Sequence, residues 1–190
     1  MAVSKTAQLK KGASLQLSLF APESPWRPPA LSILPSWKGA KRVAVDTETR
    51  DPDLRELGPG VRRPNDSYIC GYSFAIDGGP AFYLPVAHLG GDNVEDPEGA
   101  WRYLEDQAKD FDGEIVGQNL SYDLDFLAEP RQPSKMAPAK PAIVFRGAKA
   151  FRDTMVADAL CNELQNSYSL DAIAARRGLP GKQEEEWPVH

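Results

Sequence analysis

The alternation of apolar and polar positions divides the chain into a patterned middle and two unpatterned ends. Val43, Ala44 and Val45 form a short apolar run that stops at Asp46 and Glu48. This is the pattern of a buried strand with two carboxylates projecting from one side of its C-terminal end. Tyr68 to Ile76 and Ala81 to Ala87 read as two more strands around Asp77-Gly78-Gly79, whose glycines suit a tight hairpin. Asp96 can cap a helix with Pro97 in its first turn, and Trp101, Leu104, Ala108 and Phe111 recur behind them at helical spacing. Ile115-Val116-Gly117 is a further short strand. It leads into a helix with Leu120, Leu124 and Leu127 on the buried stripe and Asp125 facing solvent.

Glu129 to Pro141 reads as a surface loop. Beyond it, Ile143 to Phe145 and Ala150 to Asp153 have strand character, and a helix follows with Val156, Leu160 and Leu164 on one face. Tyr168 to Leu179 is a last helix, with Ser169 as cap and Gly178 as stop. The order strand-strand-strand-helix-strand-helix-strand-helix predicts an α/β domain, a mixed sheet with flanking helices.

The N-terminal end differs. Residues 1–38 are predicted to be a flexible extension, since the prolines from Pro22 to Pro35 cannot hold helix or central strand, and the domain is predicted over 39–190. Within the extension, Gln16-Leu17-Ser18-Leu19-Phe20 resembles the short motif by which bacterial replication and repair proteins dock on the sliding clamp. The resemblance implies Gln16, Leu17, Leu19 and Phe20 as contacts on that partner. The plainer reading has Leu17, Leu19 and Phe20 packing back on the domain.

Composition narrows the function. A net charge of -5 provides no overall basic footprint, which counts against a DNA-coating protein but not against a nuclease whose site is built of carboxylates. Cys70 and Cys161 lie far apart within apolar segments and read as reduced core thiols of a cytosolic protein. The N-terminus has no apolar core of about 7–15 residues before a cleavage site, and there is no run of about 18 apolar residues. A soluble, cytoplasmic protein with no membrane partner is expected.

The candidate chemistry lies at Asp46 and Glu48. Two neighbouring carboxylates make a poor core and a good site for a divalent cation. A second Asp-x-Glu, Asp96-Pro97-Glu98, has no strand before it and reads as a helix start. Asn119 can cap the helix after Gly117, and Asp123 follows four residues later, so the two can share one face near that strand's end. Arg62 and Arg63 sit in a charged loop whose default is solvent exposure, and His88 ends the third strand.

Asp46-Thr47-Glu48 after one strand, with Gly117-Gln118-Asn119-Leu120-Ser121-Tyr122-Asp123 after another, is similar to the first two exonuclease motifs of the proofreading domain in bacterial DNA polymerase I and its phage relatives. Phe151-Arg152-Asp153-Thr154-Met155 and Tyr168-Ser169-Leu170-Asp171 resemble that family's next segments in the same order, so the resemblance spans about Lys41 to Leu179. It implies a ribonuclease-H-like fold and metal-dependent 3′ to 5′ hydrolysis of the terminal phosphodiester of DNA. Asp46, Glu48 and Asp123 would be the catalytic and metal-ligating carboxylates, holding two Mg²⁺ or Mn²⁺ ions. Thr47, Gln118, Asn119 and Tyr122 would position the 3′ end of a single strand.

The chain departs from the family in one respect. The pattern needs a fourth carboxylate on a helix after Gly178, and nothing after Asp171 fits: Glu184, Glu185 and Glu186 form a charge run. The resemblance therefore implies one weakened metal position and an incomplete C-terminal part. It further implies a truncated or split gene product whose partner is a second chain carrying the third motif or a polymerase region. The alternatives are a nucleic-acid or clamp-binding module that has dropped chemistry, and a truncated fragment without function.

Overall fold

Arg42–Arg50 forms the central strand, β1, because its positions sort cleanly by side: Val43, Val45 and Thr47 are buried, while Arg42, Ala44, Asp46 and Glu48 are exposed. The computed structural model describes residues 26–63 and 67–181. After β1 comes a single helical turn, α1 (Leu54–Leu57), and then β2 (Tyr68–Ile76) and β3 (Ala81–Pro85). The last two form the predicted hairpin, and Gly78 at its turn has a φ of 77°, which a side chain would disfavour. Next are α2 (Pro97–Asp110), β4 (Glu114–Gly117), α3 (Leu120–Ala128), β5 (Ala150–Asp153), α4 (Thr154–Cys161) and α5 (Leu170–Arg176). The sheet order is β3-β2-β1-β4-β5; β1 and β3 run antiparallel to β2, while β4 and β5 lie parallel beyond β1. The predicted succession is found except for the added turn α1 and the absence of a strand at Ile143 to Phe145.

Local signals set the helix ends. The Asp96 carboxylate accepts from the Gly99 N–H behind Pro97, and the Ser169 hydroxyl accepts from the Ala172 N–H. Gly178, at a φ of 67°, stops α5.

The boundary at residue 38 needs correction. Arg27–Pro180 form one unit, and Trp37, only 1% exposed, stands at the centre of its core. Its ring meets those of Phe74, Phe111 and Phe145 at centroid distances of 5.2, 5.9 and 6.2 Å. Two further bonds tie this segment to α2: Trp37 N–H donates to Gln107 Oε1 at 2.7 Å, and Tyr103 Oη donates to the Pro35 carbonyl at 2.6 Å. Proline forbids regular structure here, but it does not forbid packing.

Three other readings change. Ile143 and Phe145 are buried around an exposed Val144, yet this stretch joins no strand, and its Ile143 N–H donates to the Leu127 carbonyl at 2.9 Å. A period of two reports which side a residue faces, not whether the backbone is paired. The stripe predicted for α4 is open, and the helix ends at Cys161 before Leu164: Leu160 and Leu164 are 84% and 86% exposed, and Val156 is half exposed. What joins α4 to α5 is ionic, a buried Asp158 that accepts from Arg176 and, at 3.2 Å, from Arg177. Cys70 is half-buried and Cys161 exposed, both as thiols, so only the expectation of a core position for Cys161 fails.

The loop from Glu129 to Pro141 also hides a charge. Lys140 is buried, with Nζ donating to the Leu127 carbonyl at 2.7 Å and the Pro141 carbonyl at 2.9 Å, 5.7 Å from the centre of the Trp101 ring. Burial, and after it the charge of Arg131, pushes the ammonium down from 10.5 to about 7. Between those values the unfolded chain binds more protons than the folded one at this position, so stability rises with pH across that window. The urea midpoint of the natural chain is expected to gain more between about pH 7 and pH 9.5 than that of a Lys140→Met variant. Equal gains would show that Lys140 stays charged in the fold.

Candidate active site

The site begins where β1 outruns its neighbour. β4 pairs with β1 only at Arg42, Val43 and Ala44 and ends at Gly117, so the next turn of β1 has an edge that no strand covers. α3 starts at that gap, and its first turn delivers Asp123, 3% exposed, to β1. One carboxylate oxygen, Oδ1, accepts from the Thr47 N–H at 3.0 Å and from the Thr47 hydroxyl at 2.6 Å. Asp123 thus docks on the residue between Asp46 and Glu48. Asp46 and Glu48 themselves are exposed.

The electrostatics record the crowding. Asp123 is pushed up to about 6, first by burial and then by the charges of Asp46 and Asp153, against the two Thr47 hydrogen bonds that favour the anion. A buried carboxylate beside like charges is a site that a divalent cation would relieve, and the available donors are all hard oxygens of the kind Mg²⁺ and Mn²⁺ take. The donor chemistry fits such an ion at Asp46, Glu48 and Asp123. Among the described residues, no three His, Cys, Asp or Glu side chains are already gathered into a cage.

The other expected site residues are placed as follows. Thr47 is buried and engaged with Asp123. Both ends of the Gln118 amide are used within the fold, with Nε2 donating to the Tyr168 carbonyl at 2.7 Å and Oε1 accepting from the Thr154 hydroxyl. Tyr122 shares a hydrogen bond of 2.7 Å with the Thr49 hydroxyl and rests its ring on Phe126. Asn119 stands at the start of α3 with a φ of 55° and makes no side-chain cap. Its expected role is taken by Asp153 at the end of β5, which accepts from the Asn119 and Leu120 N–H groups at 3.1 and 2.8 Å and also caps α4. Gln16, Leu17, Leu19 and Phe20 lie outside the described residues.

One residue beside the site was missed. Asp51, just past β1, accepts from Gly60 N–H, Arg63 Nη2 and Ser67 Oγ at 2.7 to 2.9 Å, and Tyr122 Oη lies 3.5 Å from its Oδ2. Burial works to raise this carboxyl, but the Gly60, Ser67 and Arg63 donors outweigh it and hold the pKa below the usual range. The loop that reads as solvated is therefore wound around one carboxylate. The available signal was an Asp and an Arg of opposite charge in a single loop.

A five-stranded mixed sheet in this order, with an antiparallel β1 to β3 and a parallel β4 and β5, is a ribonuclease-H-like fold. A solved structure, that of the yeast NOT1 MIF4G domain co-crystallised with CAF1, superposes with a TM-score of 0.50 at 15% identity, covering 76% of this chain and 71% of that one. In sequence the chain is 53% identical over 171 residues, 90% of its length, to a DNA-directed DNA polymerase of Pseudomonas phage M6. It is also 27% identical over 139 residues, 72% of its length, to DNA polymerase I of Pseudomonas aeruginosa. Over most of its length the chain is thus similar in sequence to a part of each of two DNA polymerases. It spans 24% of the phage polymerase and 13% of the bacterial one. No protein-family model matches it. Among the described residues no helix is long and apolar enough to cross a membrane.

Proposed function

We propose that the chain is a metal-dependent 3′–5′ exonuclease domain of the proofreading type, acting on the 3′-terminal phosphodiester of a DNA strand in the cytoplasm. The observation that supports this most directly is the docking of Asp123 on Thr47, between Asp46 and Glu48. These three carboxylates would hold Mg²⁺ or Mn²⁺, which when bound neutralises phosphate charge and makes a bound water more acidic. Thr47 holds Asp123 in place through Oδ1. Glu48, on the exposed side of β1, would accept a hydrogen bond from the attacking water and orient it. Tyr122, at the Thr49 end of the strand, and Asn119, at the start of α3, would flank the strand's 3′ end. Gln118 serves by joining β4 to α4.

The second reading, a module that binds a strand without cutting it, is favoured by the open arrangement of the three carboxylates. A second polypeptide that covers Leu160 and Leu164 and contributes a carboxylate belongs to the same proposal, as does docking of Leu19 and Phe20 on a sliding clamp.

The test uses the purified chain, a 3′-labelled single strand and Mn²⁺, next to an Asp46→Ala, Glu48→Ala variant. Slow, chelator-sensitive shortening from the 3′ end by the natural chain alone is the expected result. Binding by both proteins with cleavage by neither would select the binding module, and equal cleavage by both would sink the site.

A further inference from the structure

The open face of the sheet carries one more aligned residue. In register, Asp46 of β1 lies opposite Ser73 of β2, which lies opposite Tyr83 of β3; Glu48 lies opposite Gly71. Directly opposed residues share a face, so Tyr83 stands on the same side as both carboxylates. Its ring leans along β3 until the hydroxyl sits over Gly71, where any Cβ would collide with Tyr83 Oη. Gly71 is the direct partner of Glu48, at a Cα spacing of about 5 Å for such a pair, so the missing side chain brings the phenol beside the Glu48 carboxylate.

The phenol is itself held. His88 Nε2 is hydrogen-bonded to Tyr83 Oη, with the two rings edge to face at 5.9 Å. His88 in turn is fixed by Asn93, whose Oδ1 accepts from the His88 N–H at 2.8 Å while its Nδ2 donates to the His88 carbonyl at 3.1 Å. Glu48, Cys70 and Asp46 are the ionisable groups that bear on the phenol. A phenol is a hydrogen-bond donor throughout the neutral range.

We infer that Tyr83, anchored by His88, is a positioning residue for Glu48: with His88 Nε2–H donating to the phenol oxygen, the phenol's own hydrogen is directed at the Glu48 carboxylate and sets the angle at which that carboxylate meets the cation and the attacking water. The inference rests on the exonuclease reading above and adds two residues, Tyr83 and His88, that the resemblance does not supply.

The experiment measures Mn²⁺ affinity by calorimetry and kcat and KM on a 3′-labelled strand for the natural chain and for Tyr83→Phe, His88→Ala and His88→Gln, with unfolding midpoints taken in parallel. Tyr83→Phe and His88→Ala are each expected to weaken Mn²⁺ binding and lower kcat by about tenfold, with KM unchanged. His88→Gln, whose amide nitrogen can stand where Nε2 stood, is expected to restore most of the loss. The double variant should be no worse than Tyr83→Phe alone, since the two residues act in series. Natural-chain values of kcat and Mn²⁺ affinity in Tyr83→Phe would overturn this inference and leave the exonuclease reading standing. A natural chain that neither binds Mn²⁺ nor cleaves would overturn both.

Discussion

An Asp123→Asn chain is expected to fold as well as the natural one and to lose about 100-fold or more of its cleavage rate. The asparagine carbonyl can accept both Thr47 hydrogen bonds that Oδ1 accepts now, so the contact between α3 and β1 survives. What disappears is the negative charge. The natural carboxyl is pushed up to about 6 from 3.8, chiefly by burial, so between those values the folded state binds more protons than the unfolded one. Without a cation, this group's favourable contribution is therefore complete below about pH 4 and is lost as pH rises through 6. The variant should gain on the natural chain as pH is raised across that window.

Mn²⁺ should reverse the ranking near neutral pH. A cation held by Asp46, Glu48 and Asp123 would bind the folded natural chain and stabilise it by mass action, while the variant would have lost one ligand. Thermal melts at about pH 4.5 and pH 7.5, with and without Mn²⁺, together with a cleavage gel, read all of this in one series. Equal Mn²⁺ stabilisation of the two proteins, or natural cleavage by Asp123→Asn, would remove Asp123 from the site.

The contrast between Asp123 and its neighbours shows where sequence reading succeeds. The faces of β1, the Gly78 turn, the Asp96 cap on α2 and the Ser169 and Gly178 ends of α5 depend on a few adjacent residues, and each was legible. Asp46 and Glu48 were legible as a pair on one face because strand alternation alone puts them there. The partner of Asp123 was not, since its contact with Thr47 depends on β4 ending at Gly117 while β1 continues, a fact of tertiary register.

Asn119 illustrates the same limit. Its residue type suits a cap, but its left-handed backbone takes the side chain out of that role, and a carboxylate 34 positions later supplies the bond. Lys140 and the Pro-rich approach to β1 were misread for a related reason. Composition reports what a segment cannot form by itself, and both are fixed by distant partners: Leu127 and Trp101 for the lysine, Phe74 and Phe111 for Trp37.

Trp37→Ala therefore carries the largest expected effect on stability. A side chain 1% exposed among three aromatic rings leaves a cavity that its neighbours cannot close, and Trp→Ala losses of this kind are about 3–5 kcal/mol. Domains stand only about 5–15 kcal/mol above their unfolded state. For a chain of this size the melting midpoint should fall by roughly 6–20 °C. Trp37→Phe keeps a ring parallel to Phe145, where the present planes differ by 8°, and should lose much less. Urea titrations followed by far-ultraviolet circular dichroism separate the cases. Were residues 27–38 only a tether in front of the domain, both substitutions would leave the midpoint where it is; a drop ordered Ala below Phe makes them part of the sheet's core.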